Sequence, residues 1–336
     1  SFPAVIVYPT RGVGGIVVIA LAGILLHFSF KGVKWSDFIG GLKECNWWWI
    51  LASMAIGILG FLARALRWRL LLLPINKEIT VRETFDGINV GYITNFLFPR
   101  AGEVARCGVI AATKKVSLEK SLGTVVIERS FDMLCLLLWM VLLLLFKWGE
   151  FGSFIQTEII GPLFGKMNSL MWPITILLGL FLLTAAAIWI FRRTILRIPL
   201  FEKIFRIAKG LMEGALTAFK MQHKWMFFLY TLLIWLTYWL TSLTTIYAFS
   251  QVGHLGGTDA LFLMIVGGMG WVVPVQGGIG AYHFIVSLAL AKVYGIAQTT
   301  GVIFATISHE AQALVMILCG AASLISVSLW KKHIKE

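Results

Sequence analysis

Charge is scarce in this chain: 13% of its 336 residues are Asp, Glu, Lys or Arg, against 59% hydrophobic. No polar stretch is long enough to build a soluble catalytic domain. Cysteine is rare as well. Cys45, Cys107, Cys135 and Cys319 are scattered without C-x-x-C spacing, so neither a zinc site nor a disulfide framework is indicated. There is no G-x-S-x-G, no Walker A loop and no metal-spaced His/Cys set. Those absences exclude ATP-driven transport within this chain and most hydrolase chemistry, and no cofactor is expected. Acids are fewer than bases, 16 against 29, which leaves a net charge of +13. In so apolar a chain that excess reads as cytoplasmic Lys and Arg rather than as a nucleic-acid surface.

What is present is long apolar runs. A mean hydropathy of +0.86 places the chain among all-α polytopic membrane proteins. About six full spans are expected. They are Gly12–Phe30, Trp47 to about Leu66, Ser121–Phe146, Trp172–Phe191, Trp225–Phe249 and about Thr300–Leu329. Ser1 to Arg11 resembles neither a signal peptide nor a stable helix and is left out of the fold reading. Lys31 to Cys45 reads as a mixed-charge interfacial loop, and Trp47, Trp48 and Trp49 as an aromatic anchor. Arg64, Arg67 and Arg69, near the end of the second span, are expected to snorkel to the headgroups. Residues 197–224 carry Arg197, Lys203, Arg206, Lys209, Lys220 and Lys224 among spaced apolar side chains, the pattern of an amphipathic cytoplasmic connection.

Two stretches break the pattern. Val90 to Phe98 is apolar but far shorter than the ~20 residues a spanning helix needs, and it stops at Pro99. Arg100, Gly102, Glu103 and Arg106 follow at once. Asp259 to Gly295 is apolar but interrupted by Gly267, Gly268, Gly270, Pro274, Gly277, Gly278 and Gly280. Irregular backbone at membrane depth is tolerated only where protein or water covers it. The basic loops put residues 64–120, 192–224 and the tail inside. The first broken segment would then be re-entrant from the cytoplasmic face and the second from the outer face, with both termini cytoplasmic. Opposite entry with corresponding breaks is the inverted-repeat pattern of transporters, with a first repeat over 12–150 and a second over 168–330.

Candidate site residues cluster at these breaks and at two charged turns within spans. Thr124, Glu128 and Asp132 share one helix face, and Arg129 can pair with Asp132. Arg100, Arg106 or Arg129 could receive a lipid phosphate while Glu103, Glu128 and Asp132 hold them in place; a purely structural ion network is the other reading. A helix restarting near Ala101 would add free backbone N–H groups for an anion. Gln276 and His283 follow the second break, and His309–Glu310 forms either a proton relay or a partner for Arg129.

Three motifs in order, N-F-L-F-P-R-A-G-E-V-A-R (Asn95 to Arg106), G-T-V-V-I-E-R-S-F-D (Gly123 to Asp132) and V-P-V-Q-G-G-I-G-A-Y (Val273 to Tyr282), resemble the lysylphosphatidylglycerol synthase transmembrane-region family. The resemblance covers nearly the whole chain from about Gly12. It implies one flippase-like membrane domain that moves a lipid with a modified phosphate headgroup between leaflets. Pro99, Arg100, Gly102, Glu103, Arg106, Glu128, Arg129 and Asp132 match its motifs, as do Pro274, Gly277, Gly278 and Gly280. His283 stands where the family often has an acid. The family also forms the membrane part of bacterial multiple-peptide-resistance factors, whose soluble aminoacyl-transfer domain is missing from this sequence, so synthesis of lysyl-lipid is not expected.

The resulting expectation is a lipid flippase or scramblase of the bacterial inner membrane, not an enzyme, whose partners are the bilayer and an anionic lipid. Homo-oligomers are left open. A membrane-embedded lipid-phosphate hydrolase or transferase, and a non-transporting scaffold subunit, are the alternatives.

Overall fold

A computed structural model describes residues 13–98, 100–146, 222–272 and 275–335, with 149, 152–153 and 156–157. Pro99, Pro274, the span expected over 172–191 and most of the basic connection lie outside the described residues. Residues 1–125 and 221–336 form one compact unit, and 126–220 a second.

Among the described residues the chain is all-helical. The helices are α1 (Val13–Phe30), α2 (Trp35–Glu44), α3 (Trp47–Leu72), α4 (Val81–Leu97), α5 (Gly102–Ala112) and α6 (Leu118–Phe146). After the undescribed stretch come α7 (Lys224–Tyr247), α8 (Gly257–Val272), α9 (Ala281–Tyr294) and α10 (Gln298–Lys335). A 3₁₀ turn, Gln276–Gly278, sits between α8 and α9. Among the described residues three helices are long and apolar enough to cross a membrane: α3, α7 and the Gln298–Trp330 part of α10.

Helix α3 is the hub. Ser53, Gly57, Gly60, Arg64, Arg67 and Leu71 recur three or four residues apart and are all buried, forming one stripe. The small members let neighbours approach closely, as membrane helix pairs require. Gln312 of α10 lies against Gly57, and Thr237 of α7 against Gly60. Ser53 Oγ lies 3.4 Å from Thr245 Oγ1, while Arg67 donates to Thr231 Oγ1 at 3.3 Å. Helices α3 and α7 are therefore antiparallel. Helix α10 meets Ser53 through Gln312 and Asp86 of α4 through Ser326, so it runs back toward the Leu72 end of α3.

These contacts orient two helical hairpins. The α4–α5 hairpin starts beside the Leu72 end, where Arg69 donates to the Ile79 carbonyl at 2.7 Å. A reciprocal capping box of Thr80 and Glu83 starts α4. The α8–α9 hairpin follows the connection out of α7 at the opposite, Trp47 end of α3, where Asn46 N–H donates to the Ala248 carbonyl at 2.8 Å, and Trp239 within α7 donates to the Gly257 carbonyl at 2.7 Å. The arms have 17, 11, 16 and 14 residues. At ~1.5 Å per residue each falls short of a ~30 Å hydrocarbon core.

Three local expectations need correction. The interfacial segment after α1 is not a loop but the ten-residue helix α2, which buries Phe38 and exposes Trp35. Helix α3 runs six residues beyond Leu66, because Arg64, Arg67 and Trp68 are buried inside the bundle and extend its packed face. Gly267, Gly268 and Gly270 do not break a helix. They lie within α8, where a Cβ on Gly267 or Gly270 would come 2.7 Å from Tyr282, so Gly267 and Gly270 admit close packing of α9.

Gly102 shows how tightly the first hairpin closes: an added methyl there would collide with the Gly91 carbonyl and with Asn95. Gly102→Ala is expected to destabilise the protein by about 1–3 kcal/mol, the usual range for overpacking. Gly108→Ala, on the same helix with open space around it, should not destabilise it. Melting of the two purified variants in detergent checks this; equal melting temperatures would sink the close-approach argument.

Candidate functional site: two broken hairpin tips

The first tip runs from Phe98 to Ala101. Phe98 N–H returns to the Thr94 carbonyl at 2.7 Å and ends α4. Arg100 takes a left-handed conformation (φ 64) and is exposed. Helix α5 restarts at Gly102 with Ala101 as its N-cap residue, as the sequence suggested. Not all of its free N–H groups stay open to an anion, because Asn95 Oδ1 accepts from Gly102 N–H at 2.7 Å.

Below this tip the charges turn inward. Arg106 is buried, pairs with Glu103 at 2.7 Å and lies 4.7 Å over the Trp68 ring. Trp68 Nε1 donates to Thr124 Oγ1 at 2.9 Å. Arg64 donates to the Tyr92 hydroxyl at 2.7 Å, and Arg67 lies 5.6 Å over the Phe227 ring. The snorkelling expected of Arg64 and Arg67 is therefore wrong. With 9% and 0% exposure, both are internal. The Tyr92 and Phe227 rings and the Tyr92 and Thr231 hydroxyls replace the water these cations lost. The sequence signal was present: positions 64 and 67 continue the small-residue stripe of Ser53, Gly57 and Gly60.

The second tip follows α8. Gly277, at φ 56, stands directly on the Phe96 ring, and a Cβ there would come within 2.7 Å of it. The two hairpin tips thus meet, Phe96 of the first against Gly277 of the second. Gln276 is half-buried. Gly278 packs against Trp271, whose ring stacks on His309 at 4.9 Å. His309 Nε2 lies 2.7 Å from the Gly277 carbonyl and its Nδ1 lies 2.9 Å from Glu310 Oε1. His283 is buried, with Nδ1 facing Gly280 N–H at 3.4 Å and Nε2 3.8 Å from Glu310. Tyr282, whose ring lies 5.4 Å from that of His309, shares a hydrogen bond with Ser308 at 2.9 Å.

A groove of about 620 Å³ opens beside this tip, lined mainly by Leu26, His27, Phe30, Ile279, Thr306 and Glu310. Most of its lining is apolar, and Glu310, half exposed, is its carboxylate. Among the described residues, His283, His309 and Glu310 bring ring nitrogens and a carboxylate oxygen within 4.8 Å of one another.

The third cluster lies in the second unit. Arg129 pairs with Glu128 at 2.8 Å and with Asp132 at 3.6 Å, the i+3 contact expected from spacing. Glu128 is completely buried, while the Arg129 side chain is 41% exposed. Of the two readings of His309–Glu310, Glu310 is in contact with His309 and His283. Sequence reasoning did not single out Asn95, Tyr92, Trp68 or Trp271. Polar and aromatic side chains of that kind are common in any span, and only the fold sets them against the breaks.

Arg100 and Arg106 should separate by stability. Removing the carboxylate in Glu103→Ala takes the paired charge from the buried Arg106 and should cost about 2 kcal/mol, less than the full price of a buried pair because Glu103 is partly solvated. Arg100→Ala should stay within about 0.5 kcal/mol, as for exposed positions generally. Thermal melts of both variants decide; a larger loss for Arg100→Ala would mean that Arg100 holds the tip together.

The sequence comparisons agree with this architecture in extent. The family model for the lysylphosphatidylglycerol synthase TM region matches residues 13–320, a stretch that includes both hairpins and the charged turn of α6. No curated protein and no solved structure matches the chain. With nearly its whole length matched, the chain belongs to the lysylphosphatidylglycerol synthase TM-region family and is a membrane domain with a lipid-related function.

Proposed function

We propose that this chain moves a phosphate-bearing lipid between the leaflets of a bacterial inner membrane, without chemical conversion of the lipid. In this reading the α4–α5 and α8–α9 hairpins are re-entrant from opposite faces and correspond as halves of an inverted repeat, with both termini cytoplasmic. One observation carries it. Two hairpins with arms too short to span start at opposite ends of α3 and meet at broken backbone, Phe96 on Gly277. Paired broken helices near the bilayer midplane are where transporters bind substrate.

The residues divide by role. Arg100, exposed at the first tip, is the group placed to meet a headgroup phosphate. Its planar fork suits bidentate contacts to phosphate oxygens. Arg106 is held by Glu103 and Trp68 and positions α5 rather than touching the lipid. The half-exposed Arg129, flanked by Glu128 and Asp132, is a second phosphate candidate. The apolar groove beside Ile279 would let acyl chains stay in lipid while the headgroup passes. Tip-to-tip contact corresponds to a closed state, and separation of Phe96 from Gly277 would open the path.

The test is translocation of labelled anionic, zwitterionic and aminoacylated lipids in vesicles holding the purified chain, with phosphate release followed in the same samples. A charge-assisted contact is worth about 1.5–3 kcal/mol, so Arg100→Ala should slow translocation roughly 10- to 100-fold. Glu128→Gln and Arg129→Ala should slow it as well. Phosphate release would move the reading to a lipid-phosphate hydrolase. Folded protein that moves no lipid and releases no phosphate would leave the scaffold reading.

A further inference from the structure

Both ring nitrogens of His309 face oxygens. The Gly277 carbonyl, 2.7 Å from Nε2, can only accept, so Nε2 carries hydrogen. Glu310 Oε1 lies 2.9 Å from Nδ1, a hydrogen-bond distance that needs a proton between the two atoms. That proton resides on Nδ1, giving an imidazolium beside a carboxylate, or on the Glu310 carboxyl. In either form the pair holds one proton more than a neutral imidazole and a bare carboxylate. His309 is 1% exposed and is stacked on Trp271, whereas the Glu310 side chain is 52% exposed toward the groove. One end of the pair is therefore reachable by water, and the other is fastened to the hairpin tip.

We infer that His309 and Glu310 form a proton-binding site that latches the second hairpin tip and serves as a coupling-ion site for the domain. With the proton, His309 bridges the Gly277 carbonyl and Glu310 at once. Without it, a neutral imidazole has a single N–H and can serve one of the two. If Glu310 keeps it, the Gly277 carbonyl loses its donor at the point where Gly277 stands on Phe96. Leaving a buried carbonyl without a partner is costly enough to bias a two-state tip.

Among the described residues, the other titratable groups around His309 are His283 and Tyr282 from α9, Glu310 from α10 itself, and His27 of α1 across the groove. Helix α8 and the tip contribute Trp271 and Gly277, which do not titrate. A metal ion is the competing occupant. Against it, Gly280 N–H points at His283 Nδ1, so the proton of neutral His283 sits on Nε2. Nε2 is the nitrogen that faces Glu310, and it then has no lone pair for a metal. The coupling rests on the lipid movement proposed above; the proton site does not.

Trp271 gives a direct readout, because an imidazolium stacked on an indole quenches its emission. Fluorescence of the purified full chain is followed against pH. Trp271→Phe identifies the Trp271 component among the 14 tryptophans of the chain. The expected result is a one-proton transition in that component, absent in His309→Gln, displaced in the conservative Glu310→Gln and indifferent to a chelator. In vesicles, an imposed pH gradient should change lipid movement by the parent chain and not by Glu310→Gln. A flat Trp271 component, a transition that survives His309→Gln, or one abolished by a chelator would falsify the proton site. An intact transition with lipid movement blind to the gradient would overturn the coupling. An intact transition in protein that moves no lipid would remove the transport reading, and the coupling with it, while the proton site stands.

Discussion

Breaking a helix frees backbone N–H and C=O groups that need new partners, and that constraint shapes the two hairpins. Every turn of backbone at the two tips exposes N–H and C=O groups that must find partners in the protein. At the first tip Asn95 takes the Gly102 N–H and Thr94 takes the Phe98 N–H. At the second, His309 takes the Gly277 carbonyl and His283 faces the Gly280 N–H. The polar side chains nearest the breaks are thus first of all replacements for solvent. A site that binds or moves a headgroup would reuse groups already required by the fold.

The same constraint accounts for the buried arginines. Arg64, Arg67 and Arg106 lie near the Leu72 end of α3, where the first hairpin starts, and each is met by an aromatic ring: Tyr92, Phe227 and Trp68. A ring face and a hydroxyl together desolvate a guanidinium at lower cost than hydrocarbon does. The arrangement also ties α3 to α4, α5 and α7 through groups that are costly to separate. Conversely, the second tip has no arginine. Its polar chemistry is imidazole and carboxylate, which can change protonation, whereas a guanidinium cannot. The two tips are therefore chemically unequal: a fixed positive charge at one and a titratable pair at the other.

Much of this was legible in the chain, and the failures have physical causes. The F-P-R-A-G-E break announced a helix stop and restart, because Pro and Gly interrupt hydrogen bonding wherever they stand. The i+3 pair of Arg129 and Asp132 followed from helical spacing alone. Arg64 and Arg67 were misread because a basic residue near a helix end can either snorkel outward or turn inward. Only the neighbouring helices select between these. Gly267 and Gly270 were misread as breakers because a glycine admits both a kink and a close neighbour. The contact with Tyr282 is what distinguishes the two.

Composition and spacing by themselves determined that the chain is a helical membrane domain, that a helix stops and restarts around Arg100, and that Arg129 can pair with Asp132. Those properties depend on the transfer of side chains from water and on local backbone geometry, both of which are fixed within a few residues. Tertiary structure alone decided that the hairpin tips meet at Phe96 and Gly277, that Arg106 faces Trp68, and that His309 is caught between two oxygens. Each of these joins residues remote in sequence. Such contacts depend on how helices register against one another, which side-chain volumes and crossing geometry set and no local pattern encodes.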